Sequence, residues 1–233
     1  MPTYTLELLI DEDDLRIIKG AQQNIVLAKP TGDNASPNVA WQSFDPFQEN
    51  SVTWSEEYGL YASNTKIVNG ARIAKMSGVK SATDKAYYSF RSDATFYGPN
   101  QDGDAPGIGQ YRIFNEMPSS QYPALTFGLM QSATINGRLS DSRPLNAQYV
   151  PASQQVTFTP LTTVYVWLQS TLTSGTVITE VASKHTEVIF GGSVTTITLR
   201  YDSSRGMFVK YVPQERALVV DAPDVRLLSP VFT

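Results

Sequence analysis

The sequence contains no cysteine and one histidine, His185, in 233 residues. Without thiols there is no disulfide framework and no thiolate nucleophile. One imidazole cannot build a His/Cys zinc or iron centre, and no G-x-S-x-G elbow exists for His185 to serve. Positive charge is scarce too: 18 Lys and Arg stand against 22 Asp and Glu, giving a net charge of −4. The cations are scattered, so the electrostatic footprint of a nucleic-acid binder is missing. No run of 18 apolar residues occurs, which excludes a membrane-spanning helix. There is no Walker loop, no G-x-G-x-x-G after a strand, no fixed-length repeat and no sustained helical periodicity. The opening MPTYTLELLIDEDD has neither the basic nor the apolar region of a secretory signal, so a cytoplasmic location is expected. The equipment of common enzyme classes is absent, and the expectation is a non-enzymatic protein.

What the chain has is β pattern. Short runs of alternating or β-branched residues recur between turn signals, as in Tyr4–Ile10, Gln23–Lys29, Thr163–Leu168 and Val194–Tyr201. This spacing predicts an all-β antiparallel β-sandwich, jelly-roll-like. Val164, Val166 and Leu168 alternate with Tyr165 and Trp167; both faces are apolar, so that strand should be central and covered on both sides. Asp11-Glu12-Asp13-Asp14 suits the first turn of one short N-terminal helix ending at Gly20, because the helix dipole favours acids there. Asn69-Gly70 and Asn136-Gly137 are hairpin-turn dipeptides. Residues 1–212 read as one domain. Residues 213–233, broken by Pro213, Pro223 and Pro230, read as an extended C-terminal arm able to join a homodimer.

The rings mark the candidate site. Val39 to Ile67 holds Trp41, Trp54, Tyr58 and Tyr61, and reads as two strands forming a hairpin about Asp45-Pro46. Alternation puts Glu56 on the face of Trp54 and Tyr58. A carboxylate there must stay at the rim, find a donor or take up a proton. Five further rings, Tyr87, Tyr88, Phe90, Phe96 and Tyr97, cluster around Arg91 and Asp93; they suit a core strand pair or a wall for a planar ligand. The ligand-lining expectation is therefore Trp41, Trp54, Tyr58, Tyr61, Tyr97 and Tyr111 with Glu56 and Arg112. In the Gly/Pro-rich loop Tyr97–Gly109, alternating Asn100, Asp102 and Asp104 offer oxygens for Mg2+ or Ca2+, or make a plain Asx turn. They do not form an EF-hand, whose twelfth position would be Tyr111.

Several short motifs resemble a β-rich family of rhizosphere bacteria and gilled mushrooms typified by the rhizosphere-expressed RhiA protein. They are Tyr4-Thr5-Leu6, Ala40-Trp41-x-Ser43-Phe44, Val52-Thr53-Trp54 with Tyr58, Ser63-x-Thr65, Phe127-Gly128-Leu129 and Val156-Thr157-Phe158-Thr159-Pro160, spread over residues 4–212. The Asp11–Gly20 insertion and Tyr122–Leu129 look more like the fungal members. Among those, the pink chromoprotein of oyster mushrooms would imply a non-catalytic protein holding an aromatic chromophore, with a divalent ion. The resulting expectation is a small-molecule binder for a flat aromatic pigment. The alternatives are a lectin-like carbohydrate-binding protein and a defence toxin.

Overall fold

A computed structural model describes residues 2–32 and 36–211; the C-terminal arm expected at 213–233 lies outside the described residues. The fold is all-β with one short helix, α1 (Glu12–Gly20). The largest sheet runs β19 (Met207–Lys210), β18 (Thr196–Asp202), β1 (Thr3–Leu9), β5 (Glu49–Ser55), β11 (Ala124–Ile135), β6 (Gly59–Ser63), β7 (Lys75–Val79). Strands β12 (Arg138–Pro144) and β13 (Gln148–Pro151) also pair with β11. A four-stranded sheet runs β14 (Gln155–Phe158), β10 (Tyr111–Asn115), β8 (Ala86–Phe90), β9 (Phe96–Asn100). Another runs β17 (Thr186–Ile189), β15 (Thr163–Ser170), β2 (Gln23–Ala28), β4 (Gln42–Phe44), and β16 (Thr176–Val177) pairs with β3 (Val39–Ala40). Pairing is antiparallel except between β1 and β18 and between β10 and β8, which are parallel.

One hydrophobic cluster draws on all three larger sheets, with Leu6, Leu8, Val52 and Phe127 from the first, Tyr88, Ile113 and Phe158 from the second, and Ile25, Leu27 and Val166 from the third. This sandwich-like arrangement follows from period-2 patterning: each sheet turns its apolar face inward. Strand β15 is central, between β17 and β2, and apolar on both sides as its sequence requires. Val164 and Val166 enter the main core, while Trp167 enters a second cluster with Val26, Ala28 and Ile178.

Gly128 shows why a strand interior needs glycine here. A Cβ would lie 2.1 Å from the Asn146 carbonyl oxygen and 2.6 Å from the Tyr61 ring, so any side chain would displace Tyr61 from its contact with β11. Asn136 and Gly137 both have positive φ and close the β11–β12 hairpin as expected. Asn69-Gly70 is not a two-residue hairpin turn: it lies in the longer connection, residues 64–74, between the paired strands β6 and β7. Its flanks are irregular, although Gly70 has φ +80°.

The central hairpin is a correction. The segments 39–44 and 52–58 do not pair with each other. Strand β4 pairs with β2, whereas β5 pairs with β1 and β11. Alternation sets which residues share a face and leaves the neighbour open. Here the Asp45-Pro46 break carries the chain from one sheet to the other. Asn50 fixes the crossing: its side chain accepts from the Phe47 N–H (2.9 Å) and donates to the Leu8 carbonyl (3.1 Å).

Candidate functional site

The sequence-predicted residues, Tyr61 excepted, separate into two places. Trp41, Trp54, Glu56, Tyr58 and Tyr111 come together at one end of the core, around a group the sequence reading did not single out, Lys29. It follows β2 directly, and its side chain is 1% exposed. Its Nζ lies 5.5 Å from the Trp41 ring centroid, 5.5 Å from Trp54 and 5.4 Å from Tyr58. The ammonium donates to Gln131 Oε1 (3.0 Å), Glu56 Oε1 (3.3 Å) and Tyr58 Oη (3.4 Å), which uses its three N–H groups.

Each partner is held in turn. The Trp54 indole donates to Glu56 Oε1 at 3.1 Å and the Tyr58 hydroxyl donates to Glu56 Oε2. The Gln131 amide donates to the Ser55 carbonyl at 2.6 Å, and the Trp41 indole donates to the Gln131 backbone carbonyl at 3.0 Å. Glu56 meets the sequence condition by the first two routes: its side chain sits at the rim, 16% exposed, and it has three donors. Burial pulls the Lys29 ammonium down to about 8 against the opposing pull of Glu56. Burial, reinforced by Glu56, pushes the Tyr58 phenol far above its ordinary value.

These rings, expected to line a ligand site, are packed into the core. Trp41 is fully buried, Trp54 and Tyr58 are 3% exposed and Tyr111 4%. The indoles of Trp41 and Trp54 meet edge to face at 5.7 Å, Trp54 meets Phe190 at 5.0 Å, and Tyr58 meets Tyr111 at 5.8 Å. Lys29 Nζ sits among three of these rings. Tyr61 is also buried but stands apart, in another cluster with Val39 and Met130; its hydroxyl donates to the Asn146 carbonyl at 2.6 Å.

The second place is the outer face of the four-stranded sheet. Alternation on β10 sends Tyr111 and Ile113 inward and leaves Arg112 and Phe114 outward and half-buried. Register puts Arg112 between Tyr87 and Thr157, with Asn100 beyond Tyr87. The Tyr87 and Phe114 rings meet edge to face at 5.2 Å. The Tyr87 hydroxyl donates to Asp102 (3.0 Å), which raises its pKa. Arg112 donates from Nε to Thr157 Oγ1 (3.0 Å) and from a terminal nitrogen to the Asp104 carbonyl (2.7 Å). Alongside, the Arg91 guanidinium lies 4.4 Å from the Tyr97 centroid, and its Nε donates to Glu116 at 3.0 Å. Tyr97 is 40% exposed and donates to Asp93 at 2.5 Å.

Asn100, Asp102 and Asp104 border this face. Asp102 accepts the Asp104 N–H (3.3 Å) as well as the Tyr87 hydroxyl, the arrangement of an Asx turn. Among the described residues no group of three or more His, Cys, Asp or Glu is gathered as for a metal. His185 is engaged locally: its Nδ1 is 2.7 Å from the Ala182 carbonyl and its ring stacks near Tyr165.

Elsewhere, a groove of about 850 Å3 is lined by Glu7, Leu9, Ile189, Val194, Ile197 and Tyr211, among others. No sequence-predicted site residue lines it. A family model described as RhiA matches residues 21–212. No curated protein and no solved structure matches the chain.

Proposed function

The chain belongs to the RhiA family, and from that premise we propose that it is a non-enzymatic, lectin-like protein that holds a carbohydrate on the outer face of its four-stranded sheet. The observation that carries this reading is the half-exposed Tyr87–Phe114 pair bordered by Arg112 and Asp102. A sugar ring has an apolar C–H face and a rim of hydroxyls. Aromatic rings take the face. A carboxylate accepts from hydroxyls and a guanidinium donates to them in fixed directions. Tyr97 with Arg91, and Glu116 and Asp93 at the edge, extend the surface for a second sugar unit. The face is open, which suits an extended chain end better than a sequestered pigment.

The test is a glycan array followed by calorimetric titration of the strongest hit. Binding that Tyr87→Ala and Arg112→Ala each weaken supports the reading; an array without hits on folded protein rejects it.

The groove favours a second reading, a flat aromatic small molecule. Its volume of about 850 Å3 is that of an ordinary ligand site, and its lining mixes Leu9, Val188, Ile197 and Leu199 with polar and charged groups that include Glu7, Glu187 and Lys210. A visible absorption spectrum of protein purified from its source tests this. A colourless protein that also fails to bind anthraquinone-type dyes removes it.

A further inference from the structure

Lys29 presents an amine, an amide and a carboxylate in mutual contact inside a sheath of rings. Neither ligand reading uses them. The amine nitrogen is 3.0 Å from the Gln131 side-chain oxygen and 3.3 Å from Glu56. The amide plane is clamped by its own N–H bond to Ser55 (2.6 Å). Lys29 and Gln131 are 1% exposed, and Trp41, Trp54 and Tyr58 exclude water from them. Held this way, a reaction negligible between free groups becomes intramolecular with a very high effective concentration.

We propose that Lys29 and Gln131 join in an intramolecular isopeptide bond, with Glu56 as the proton carrier. Glu56 Oε1 first takes a proton from the Lys29 ammonium, leaving a neutral amine. The Lys29 nitrogen lone pair attacks Gln131 Cδ, and the carbonyl electrons move to Oε1. Glu56 gives its proton to the Gln131 amide nitrogen and receives one from the attacking nitrogen. The carbonyl re-forms, the C–N bond of the old amide breaks and ammonia departs. It takes the remaining proton from Glu56 and leaves as ammonium. One amide replaces another, so no oxidant, reductant or co-reactant is required.

Other features fit the step. Burial already holds the Lys29 ammonium down to about 8, so a fraction of neutral amine exists near neutral pH. Glu56 is oriented by Trp54 and Tyr58 and reaches the rim, 16% exposed, which gives ammonium a way out. The bond would tie the end of β2 to β11 across 102 positions of chain. In a protein without cysteine, it would be a covalent closure linking two sheets through the core. Closing a long loop restricts the unfolded chain most.

The experiment is tryptic digestion of the denatured full-length chain with tandem mass spectrometry. Trypsin leaves the Lys29-Pro30 bond intact in either case; the bond predicts one branched species joining the peptides that carry Lys29 and Gln131, lighter by the mass of one ammonia than the two peptides together. Recovery of both residues in separate unmodified peptides overturns the proposal. A single internally linked peptide of residues 20–66, lighter by one water and with fragments placing the link between Lys29 and Glu56, overturns the assignment to Gln131. Glu56→Gln, confirmed folded by circular dichroism, should yield separate peptides; a link that persists there overturns the role of Glu56. Gln131→Met and Lys29→Met should each abolish the branched species, and its survival in either overturns the assignment. Glycan binding on the outer face is read separately, so either proposal can fail without the other.

Discussion

The molecule contains two assemblies of tyrosines, acids and a cation, and they differ in what surrounds them. Around Lys29 the rings face inward, the amine is buried from water, and Lys29, Glu56, Tyr58, Gln131 and the two indoles are all hydrogen-bonded within the cluster. On the outer face, Tyr87, Phe114 and Tyr97 keep part of their surface open, and the acids beside them, Asp93, Asp102 and Glu116, are exposed. The same residue types therefore do opposite work. In the interior an unpaired charge is so costly that the cage must be complete. On the surface, water replaces any missing partner, and a ligand can do the same. Aromatic residues next to acids do not mark a binding site until burial is known.

The sharpest way to break this comparison is to cut one ring from each assembly. Trp54→Ala should lower unfolding free energy by about 3–5 kcal/mol, the usual cost of removing a buried large ring. It also takes a donor from Glu56 and an edge contact from Trp41. Tyr87→Ala should cost less than about 1 kcal/mol, because a half-exposed ring on the outer face leaves no enclosed cavity. Urea denaturation of both variants measures this. Equal costs would mean that the outer ring is structural and the surface is no site.

A second effect should be confined to the interior. In chains whose Lys29 amine is free, the folded state titrates near pH 8 and the unfolded state near 10.5. Between these values the unfolded chain holds a proton on Lys29 that the folded chain lacks, so stability rises with pH. Above about pH 10 the trend should reverse. Tyr58 and Tyr61 are raised by burial in the fold and keep protons that the unfolded chain loses. Chemical denaturation from pH 7 to 11 should show a maximum near pH 10, and Lys29→Met should remove the rising limb. A Lys29 tied up as an amide does not titrate, so the same curve on fully linked protein should lack that limb.

Much of the fold could be read from sequence because it depends on local pattern. Two-sided apolarity identified β15, Asn136-Gly137 closed a hairpin, and four acids opened α1. The partners of the strands were not local: nothing in 39–58 says that its halves belong to different sheets. The cage was half legible. Trp54, Glu56 and Tyr58 follow from alternation, and the condition placed on Glu56 proved correct. Lys29 escaped because a lysine before Pro30 looks like any cation closing a strand. Gln131 did leave a signal. One amide inside LTFGLMQSATI, on a strand apolar to both sides, must find buried partners. On the outer face, Phe114 follows from Arg112 by period two once Tyr111 points inward.

Binding comes next in size and belongs to the surface alone. Removal of Tyr87 or Phe114 should weaken the best glycan about tenfold, or ~1.4 kcal/mol, with little change in melting temperature. A conservative Trp41→Phe change in the cage should leave affinity unchanged. Calorimetric titration separates the two. Loss of affinity in Trp41→Phe with Tyr87→Ala unaffected would move the site from the face to the core.

The smallest effect falls on the border of the face. Asp102→Asn removes the charge that the Tyr87 hydroxyl donates to and keeps the side chain's shape. Exposed pairs of this sort contribute little, so stability should change by less than about 0.5 kcal/mol. The tyrosine should respond more clearly. Its pKa is raised first by the hydrogen bond to Asp102, so phenolate absorbance of the variant should appear at lower pH than in the parent chain. The same pair of proteins tests the cation expectation for Asn100, Asp102 and Asp104. Asp102 already accepts two hydrogen bonds and Arg112 occupies the Asp104 carbonyl, so millimolar Mg2+ or Ca2+ should leave the melting temperature unmoved. A rise in the parent chain that Asp102→Asn abolishes would show that the turn opens to take a metal, and the outer face would then need a cation in its description.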